Sequence, residues 1–283
     1  MLLKYFLLLF IAISLGANQR VIALSPSINE IIYAHGSGEE IVGNTTFCTY
    51  PEDANSKTKV GGYFSPSLEK ILSLKPDIVI MQKSSISMSK KLEKLGIKTK
   101  VLSLKSLEDI KNSIRDIGEI LNKEKESKQI LDELNQRLEE TKNIVKDKKI
   151  LMAIGHNITL NKRIFVAGQN LYFDDIIELS GNKNAFQSSR EGQPILNMEN
   201  IIVANPDIVI LLAPFTKDKG LTKRQLIKPW LELPINAKKT KSIYVLDKHY
   251  AGISSDRLRL FLKDYANFLY DYKSRGIDDK YLY

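Results

Sequence analysis

Residues 68–80 read Leu-Glu-Lys-Ile-Leu-Ser-Leu-Lys-Pro-Asp-Ile-Val-Ile, and residues 198–210 read Met-Glu-Asn-Ile-Ile-Val-Ala-Asn-Pro-Asp-Ile-Val-Ile. The offset is 130 residues. Each copy spaces its apolar residues as a short helix would, is stopped by proline, and then enters a β-branched run suited to a strand buried on both faces. A helix feeding such a strand is half of a βαβ unit, so two copies predict two similar lobes. A weaker echo lies upstream of each, Glu30-Ile-Ile-Tyr-Ala-His-Gly36 and Asp175-Ile-Ile-Glu-Leu-Ser-Gly181, an amphipathic helix ended by glycine.

Outward from the repeat, strands are expected over Val21–Ser25, Thr99–Leu102, Lys149–Ile154, Ile164–Ala167 and Ser242–Leu246, giving an α/β fold with a small, mainly parallel sheet in each lobe. Between them, Ser106 and Asp109 make a capping-box pattern that opens a helix to about Leu121. A second helix is expected from about Lys123 to Asp147, with a stripe at Ile130, Leu134, Leu138 and Val145. Some 25 residues at 1.5 Å each span roughly 37 Å, enough to bridge two lobes as one rigid strut. The expected organisation is a leader over 1–17, an N-terminal lobe over 18–105, linking helices over 106–148 and a C-terminal lobe over 149–283.

Met1 to Ala17 carry one basic residue, Lys4, an apolar run from Tyr5 to Leu15 and a small-residue ending, which is the pattern of a secretory signal peptide. That run is shorter than the roughly 20 residues of a membrane span, so a soluble, exported product is expected. Asn18 follows Ala17, and the only cysteine, Cys48, lies far downstream, so no lipid anchor is expected and the chain is assigned to the periplasm. The net charge of +9 comes mostly from dispersed lysines, the mark of a solvated surface. Nucleic acid is excluded as a partner by export and by the lack of a basic, aromatic-interleaved cluster.

The run Arg20-Val-Ile-Ala-Leu-Ser-Pro-Ser-Ile-Asn-Glu-Ile-Ile32, then Tyr50-Pro51, Val60-Gly-Gly-Tyr63, and Leu68-Glu69 through Pro76-Asp77, resembles the periplasmic iron-complex and vitamin B12-binding proteins. The resemblance covers residues 18–283 and is strongest over 20–80. It implies two α/β lobes joined by one long helix, with a small-molecule ligand held between them and passed to an ABC permease in the inner membrane. It further implies that Glu69 and Glu199, one per lobe and both in a first helical turn, dock onto arginines of that permease. Complementing the helix dipole is their alternative role.

Ligands of open α/β sheets bind beyond the carboxyl ends of the strands. That rule selects Phe47, Tyr50, Tyr63 and Phe64 on the first lobe, and His156, Phe165, Gln193, Phe215, His249 and Tyr250 on the second. By motif position Phe47 and Tyr63 resemble aromatics that the family sets against ligand. Arg257, in Ser254-Ser-Asp-Arg, resembles a family Ser-Pro-Arg segment with Asp256 in place of proline, and would pair with an anionic ligand group. Aromatic lining suits a corrinoid, a haem or a ferric siderophore, and details around Tyr50-Pro51 and Tyr63 incline toward a corrinoid.

The rival readings are a bare zinc or manganese receptor and a two-lobed enzyme. His35, His156 and His249 are the only histidines, and His35 falls at a helix end, so four converging ligands are not in evidence. No phosphate loop or nucleophile elbow occurs, and the adjacent pairs Asp174-Asp175 and Asp278-Asp279 point different ways on a helix. A non-enzymatic, monomeric receptor with no resident cofactor is therefore expected.

Overall fold

The computed structural model describes residues 19–161, 163–169, 171–188 and 193–278. The expected leader, 1–17, lies outside them. The first lobe runs β1 (Val21–Ala23), α1 (Pro26–Ala34), β2 (Ile41–Asn44), β3 (Thr58–Lys59), α2 (Leu68–Ser73), β4 (Ile78–Gln82), α3 (Ile86–Lys94) and β5 (Lys98–Leu102). Two helices follow, α4 (Leu107–Leu121) and α5 (Glu124–Thr141). The second lobe runs β6 (Lys149–Ile154), β7 (Ile164–Val166), α6 (Tyr172–Leu179), β8 (Lys183–Asn184), β9 (Ile195–Leu196), α7 (Met198–Ala204), β10 (Ile208–Leu212), α8 (Lys223–Ile227), α9 (Asn236–Lys239), β11 (Ile243–Leu246) and α10 (Leu258–Asp278).

The first sheet is wholly parallel, in the order β3-β2-β1-β4-β5. The second is ordered β11-β10-β6-β7-β9, with β8 also paired to β6. Its core β11-β10-β6 is parallel, while β7 and β9 join antiparallel. Thus α2–β4 and α7–β10, the two copies of the repeat, each place their strand beside the first strand of its lobe.

The Pro-Asp of the repeat has one job in both lobes. The Asp77 carboxylate accepts from the Arg20 N–H at 2.7 Å while the Asp77 N–H donates to the Arg20 carbonyl at 2.8 Å. Asp207 does the same with Lys149, at 2.9 and 2.8 Å. Each aspartate pins the incoming strand to the start of its neighbour. The glycines of the weaker echo are likewise matched: Gly36 (φ +74°) and Gly181 (φ +86°) take the left-handed turn after α1 and α6. The following N–H groups, of Ser37 and Asn182, reach back to Ile32 and Ile177 in the Schellman pattern.

Alternation along the strands divides the apolar interior into three clusters. Ile22, Leu24, Val79 and Met81 face a first-lobe core with Ile71 and Leu92. Leu151, Ala153, Val209 and Leu211 face a second-lobe core around Trp230. The opposite faces, Val21, Ala23 and Ile80 in one sheet and Ile150, Met152 and Ile210 in the other, belong to one continuous core with α1, α4, α5, α6 and α10. The linking helices are therefore part of a shared interior.

The capping box expected at Ser106 and Asp109 is present, and Asn122 (φ 56°) ends α4 in the left-handed region. The stripe on α5 is Ser127, Leu131, Leu134, Leu138 and Thr141, with Ile130 and Val145 only partly buried. The helix stops at Thr141, short of the expected Asp147. Asn143 (φ 59°) and Asp147 (φ 58°) break the helical path, and their N–H groups bond to the carbonyls of Ser180 and Gly181. Docking onto the end of α6 consumes the last turn and a half that periodicity alone would have made helical.

Candidate functional site

In the first lobe β1 ends at Ala23, and two residues on, the Ser25 side chain caps α1 by accepting from the Ile28 N–H. The loop after β2 carries Phe47 and Tyr50, both exposed, ahead of a cis Tyr50–Pro51 bond. After β3 the chain turns at Gly61 (φ +121°), where a Cβ would lie 2.8 Å from the Ser65 carbonyl, so only glycine fits. The turn sets out Tyr63 and the fully projecting Phe64, whose rings meet edge to face at 4.6 Å. Tyr63 is held from below by its hydroxyl, which donates to Gln82 Oε1 at the end of β4 at 3.0 Å.

The second lobe presents its groups on three loops at the carboxyl ends of β6, β10 and β11. Gly155 (φ +113°) turns the chain after β6, and His156 Nε2 lies 2.7 Å from the Pro214 carbonyl. A carbonyl only accepts, so that nitrogen carries the proton. Phe215 sits at φ +62°, a left-handed conformation that a bulky residue seldom adopts, and its ring lies 4.4 Å from that of the exposed His249. The Tyr250 hydroxyl donates to Asp264 at 2.6 Å, and burial with that carboxylate pushes its pKa up. Phe165 stands exposed on β7, where it pairs with Ile195, and Gln193 is exposed just ahead of β9.

Arg257 departs from expectation. It is 5 % exposed, and its guanidinium makes a two-pronged pair with the buried Glu30 of α1, through Nε at 3.0 Å and through Nη2 to the other oxygen. Ser255 donates to Glu30 at 2.6 Å, and the Ser27 and Ser254 hydroxyls meet at 3.1 Å. The Tyr50 ring covers the guanidinium at 3.7 Å. The arginine expected to pair with a ligand anion is committed to a carboxylate of the other lobe, because two buried opposite charges neutralise one another at less cost than either would bear alone. A groove of about 400 Å³ opens beside this junction, between Tyr33, Tyr50, Pro51, Glu133 and Arg259. Of the residues expected to meet ligand, only Tyr50 lines it.

The histidines do not converge: His35 is buried between the Ile31 carbonyl (2.7 Å) and Ser127 (2.8 Å). Among the described residues no group of three or more His, Cys, Asp and Glu side chains is placed to hold a metal ion. Glu69 and Glu199 are each the second residue of their helix and are exposed. Ser67 caps α2 through the Lys70 N–H, and Asn197 and Asn200 form a capping box on α7.

Sequence reading missed the buried Asn29, Glu30 and Asn44 and the half-buried Lys59, which organise this region. A charged residue on the apolar face of α1 was the available signal for Glu30.

The family model of periplasmic binding proteins matches residues 21–250, nearly the whole two-lobed unit. The chain belongs to that family. An uncharacterized ABC transporter substrate-binding lipoprotein of Bacillus subtilis (strain 168) is 30% identical over 261 residues, covering 89% of this chain and 80% of that protein. A vitamin B12-binding protein of Vibrio vulnificus (strain CMCP6) is 29% identical over 269 residues, 91% of this chain and 93% of that one. Among solved structures, the periplasmic heme-binding protein HutB of Vibrio cholerae superposes with a TM-score of 0.75 at 22% identity, over 90% of this chain and 100% of that one. At that identity the likeness shows the fold, two α/β lobes joined through helices. Among the described residues no helix is long and apolar enough to cross a membrane.

Proposed function

We propose that this chain is the substrate-binding protein of an ABC importer, that it captures a metal-chelate ligand in the periplasm, and that it delivers the ligand to the membrane permease. The ligand class is a corrinoid, a haem or a ferric siderophore, with a corrinoid favoured. One observation carries the reading: exposed aromatic groups stand at the strand ends of both lobes, Phe47, Phe64 and the half-buried Tyr63 on one and Phe165, Phe215 and His249 on the other, with the Glu30–Arg257 pair joining the lobes. Flat, largely apolar macrocycles are held by such surfaces through stacking and apolar contact. The names of relatives that bind vitamin B12 and heme support the same class.

Glu69 and Glu199 are the permease-docking carboxylates in this reading, since each is exposed at a capped helix start and they occupy equivalent positions of the repeat. Charges so placed govern encounter and orientation more than raw affinity. The receptor acts as a monomer free of a lipid anchor. The Bacillus relative, by contrast, is a lipoprotein. No turnover is part of the role.

Titration calorimetry and visible absorption of residues 18–283 with cyanocobalamin, cobinamide, haemin and ferric siderophores test the proposal. Sub-micromolar binding of a corrinoid without a new haem band is the expected result, a shifted Soret band would transfer the assignment to haem, and failure to bind all four would overturn the ligand class.

A further inference from the structure

The loop between β2 and β3 is closed by a single ammonium. Lys59 Nζ lies 2.8 Å from Asn44 Oδ1, 3.0 Å from the Cys48 carbonyl and 2.8 Å from the Ala54 carbonyl. An ammonium has three N–H donors and no acceptor, so these three oxygens satisfy it completely. They come from the end of β2, the middle of the loop and its short helical return, so one side chain ties together three points of residues 44–54.

The acceptors are themselves held. Asn44, fully buried, donates to Asn29 Oδ1 at 2.9 Å and to the Ala54 carbonyl at 3.0 Å. Asn29, also fully buried on α1, donates to the Tyr50 carbonyl at 2.9 Å. The network thus runs from α1 through β2 to both sides of the segment that presents Phe47 and Tyr50. Phe47 is 62 % exposed and the Cys48 that follows it is buried, so the network fixes the backbone while leaving the ring free.

We infer that Lys59 is a positioning residue: its ammonium holds the Phe47–Tyr50 loop in a ligand-ready arrangement, so that binding does not have to order it. This rests on the proposed ligand-binding role of that loop. The stem of Lys59 reaches the junction from β3, and replacing its head with an apolar group leaves two carbonyls and a buried asparagine without their shared donor. Hydrogen bonds to a charged group are the stronger kind, and a loop that must be ordered on binding subtracts its ordering cost from affinity.

The test is a double-mutant cycle with Lys59→Met and Phe47→Ala, read by calorimetric titration with whichever of cyanocobalamin and haemin the wild type binds. Hydrogen exchange of the unliganded proteins is measured alongside. Lys59→Met is expected to weaken binding by about tenfold or more, and to speed exchange of amides in 46–56 while those of β4 and β6 keep their protection. In the Phe47→Ala background the same change should cost much less, because the residue acts through that ring. A general loss of stability would give additive effects and would speed exchange in both sheets, and that pattern overturns the inference. So does unchanged exchange in 46–56. Lys59→Arg, which keeps charge and donors, is expected to restore part of the protection and serves in the cycle if Lys59→Met does not fold. A wild type that binds neither probe counts against the corrinoid and haem members of the proposed ligand class, while the exchange data still decide whether Lys59 holds the loop.

Discussion

Arg257 and Glu30 lie 227 residues apart and form a buried ion pair that joins the start of α10 to α1, with Ser255 as a third partner and the Tyr50 ring as a lid. The pair ties the two lobes together at the point where the shared core meets the strand ends.

Removing one partner strands the other charge in a dry interior. Arg257→Met, which leaves the Glu30 carboxylate without its partner, is expected to cost about 3–5 kcal/mol, and adding Glu30→Leu to it is expected to recover part of that loss. Urea denaturation measures both. Additive losses would show that the two residues act separately. Burial pushes the Glu30 carboxyl above its ordinary 4.5, outweighing the hydrogen bonds from Arg257 and Ser255. The folded state then binds that proton more tightly than the unfolded chain does. Its contribution to stability is complete below 4.5 and is lost as pH rises through the raised value, a dependence that Glu30→Gln should remove.

His35 has the opposite sign. Burial lowers its pKa from 6.5, more than the Ile31 carbonyl can offset. Stability from the neutral ring is present above 6.5 and is lost as pH falls toward the lowered value, by up to about 1.4 kcal/mol per pH unit. Denaturation curves of wild type and His35→Gln on the acid side of neutrality should converge. Parallel curves would mean that the ring does not titrate in this way.

Reversing both docking carboxylates, Glu69→Lys with Glu199→Lys, is expected to abolish ligand uptake by cells and to leave calorimetric affinity within about twofold, since both groups are exposed at capped helix starts. Lost ligand affinity would place them in the binding site instead.

Phe215 holds a left-handed conformation that costs a side chain roughly 1 kcal/mol or more, and a glycine almost nothing. Phe215→Gly should therefore be more stable than Phe215→Ala by about 1 kcal/mol. Both should bind ligand about tenfold more weakly than wild type, because the ring packed against His249 is gone. Equal stability of the two variants would show that the backbone relaxes out of the strained region.

Periodicity and repetition made much of the architecture legible before any coordinates. The doubled helix–Pro-Asp–strand segment foretold two lobes and sheets with buried central strands. The Ser106–Asp109 box placed the start of α4, and the glycines after α1 and α6 placed their ends. The strand-end rule also picked out Phe47, Phe64, Phe215 and His249, which stand on exposed loops, and Phe165, exposed on β7. These are local signals: each depends on residues within a few positions, where spacing and backbone sterics act without help from the rest of the chain.

What lay beyond them depends on partners far along the chain. Arg257 reads as a free cation until Glu30, 227 residues away, is brought against it. α5 reads as a longer helix until Ser180 and Gly181 accept from Asn143 and Asp147. The short strands β3, β8 and β9, two residues each, exist only because a neighbouring strand supplies their hydrogen bonds. By itself the sequence determined the repeated α/β units, their caps and the loops that bear aromatics, since these follow from local conformational preference. Only the tertiary structure decided which buried charges and amides would meet, because the cost of burying a polar group is settled by the partner it finds there.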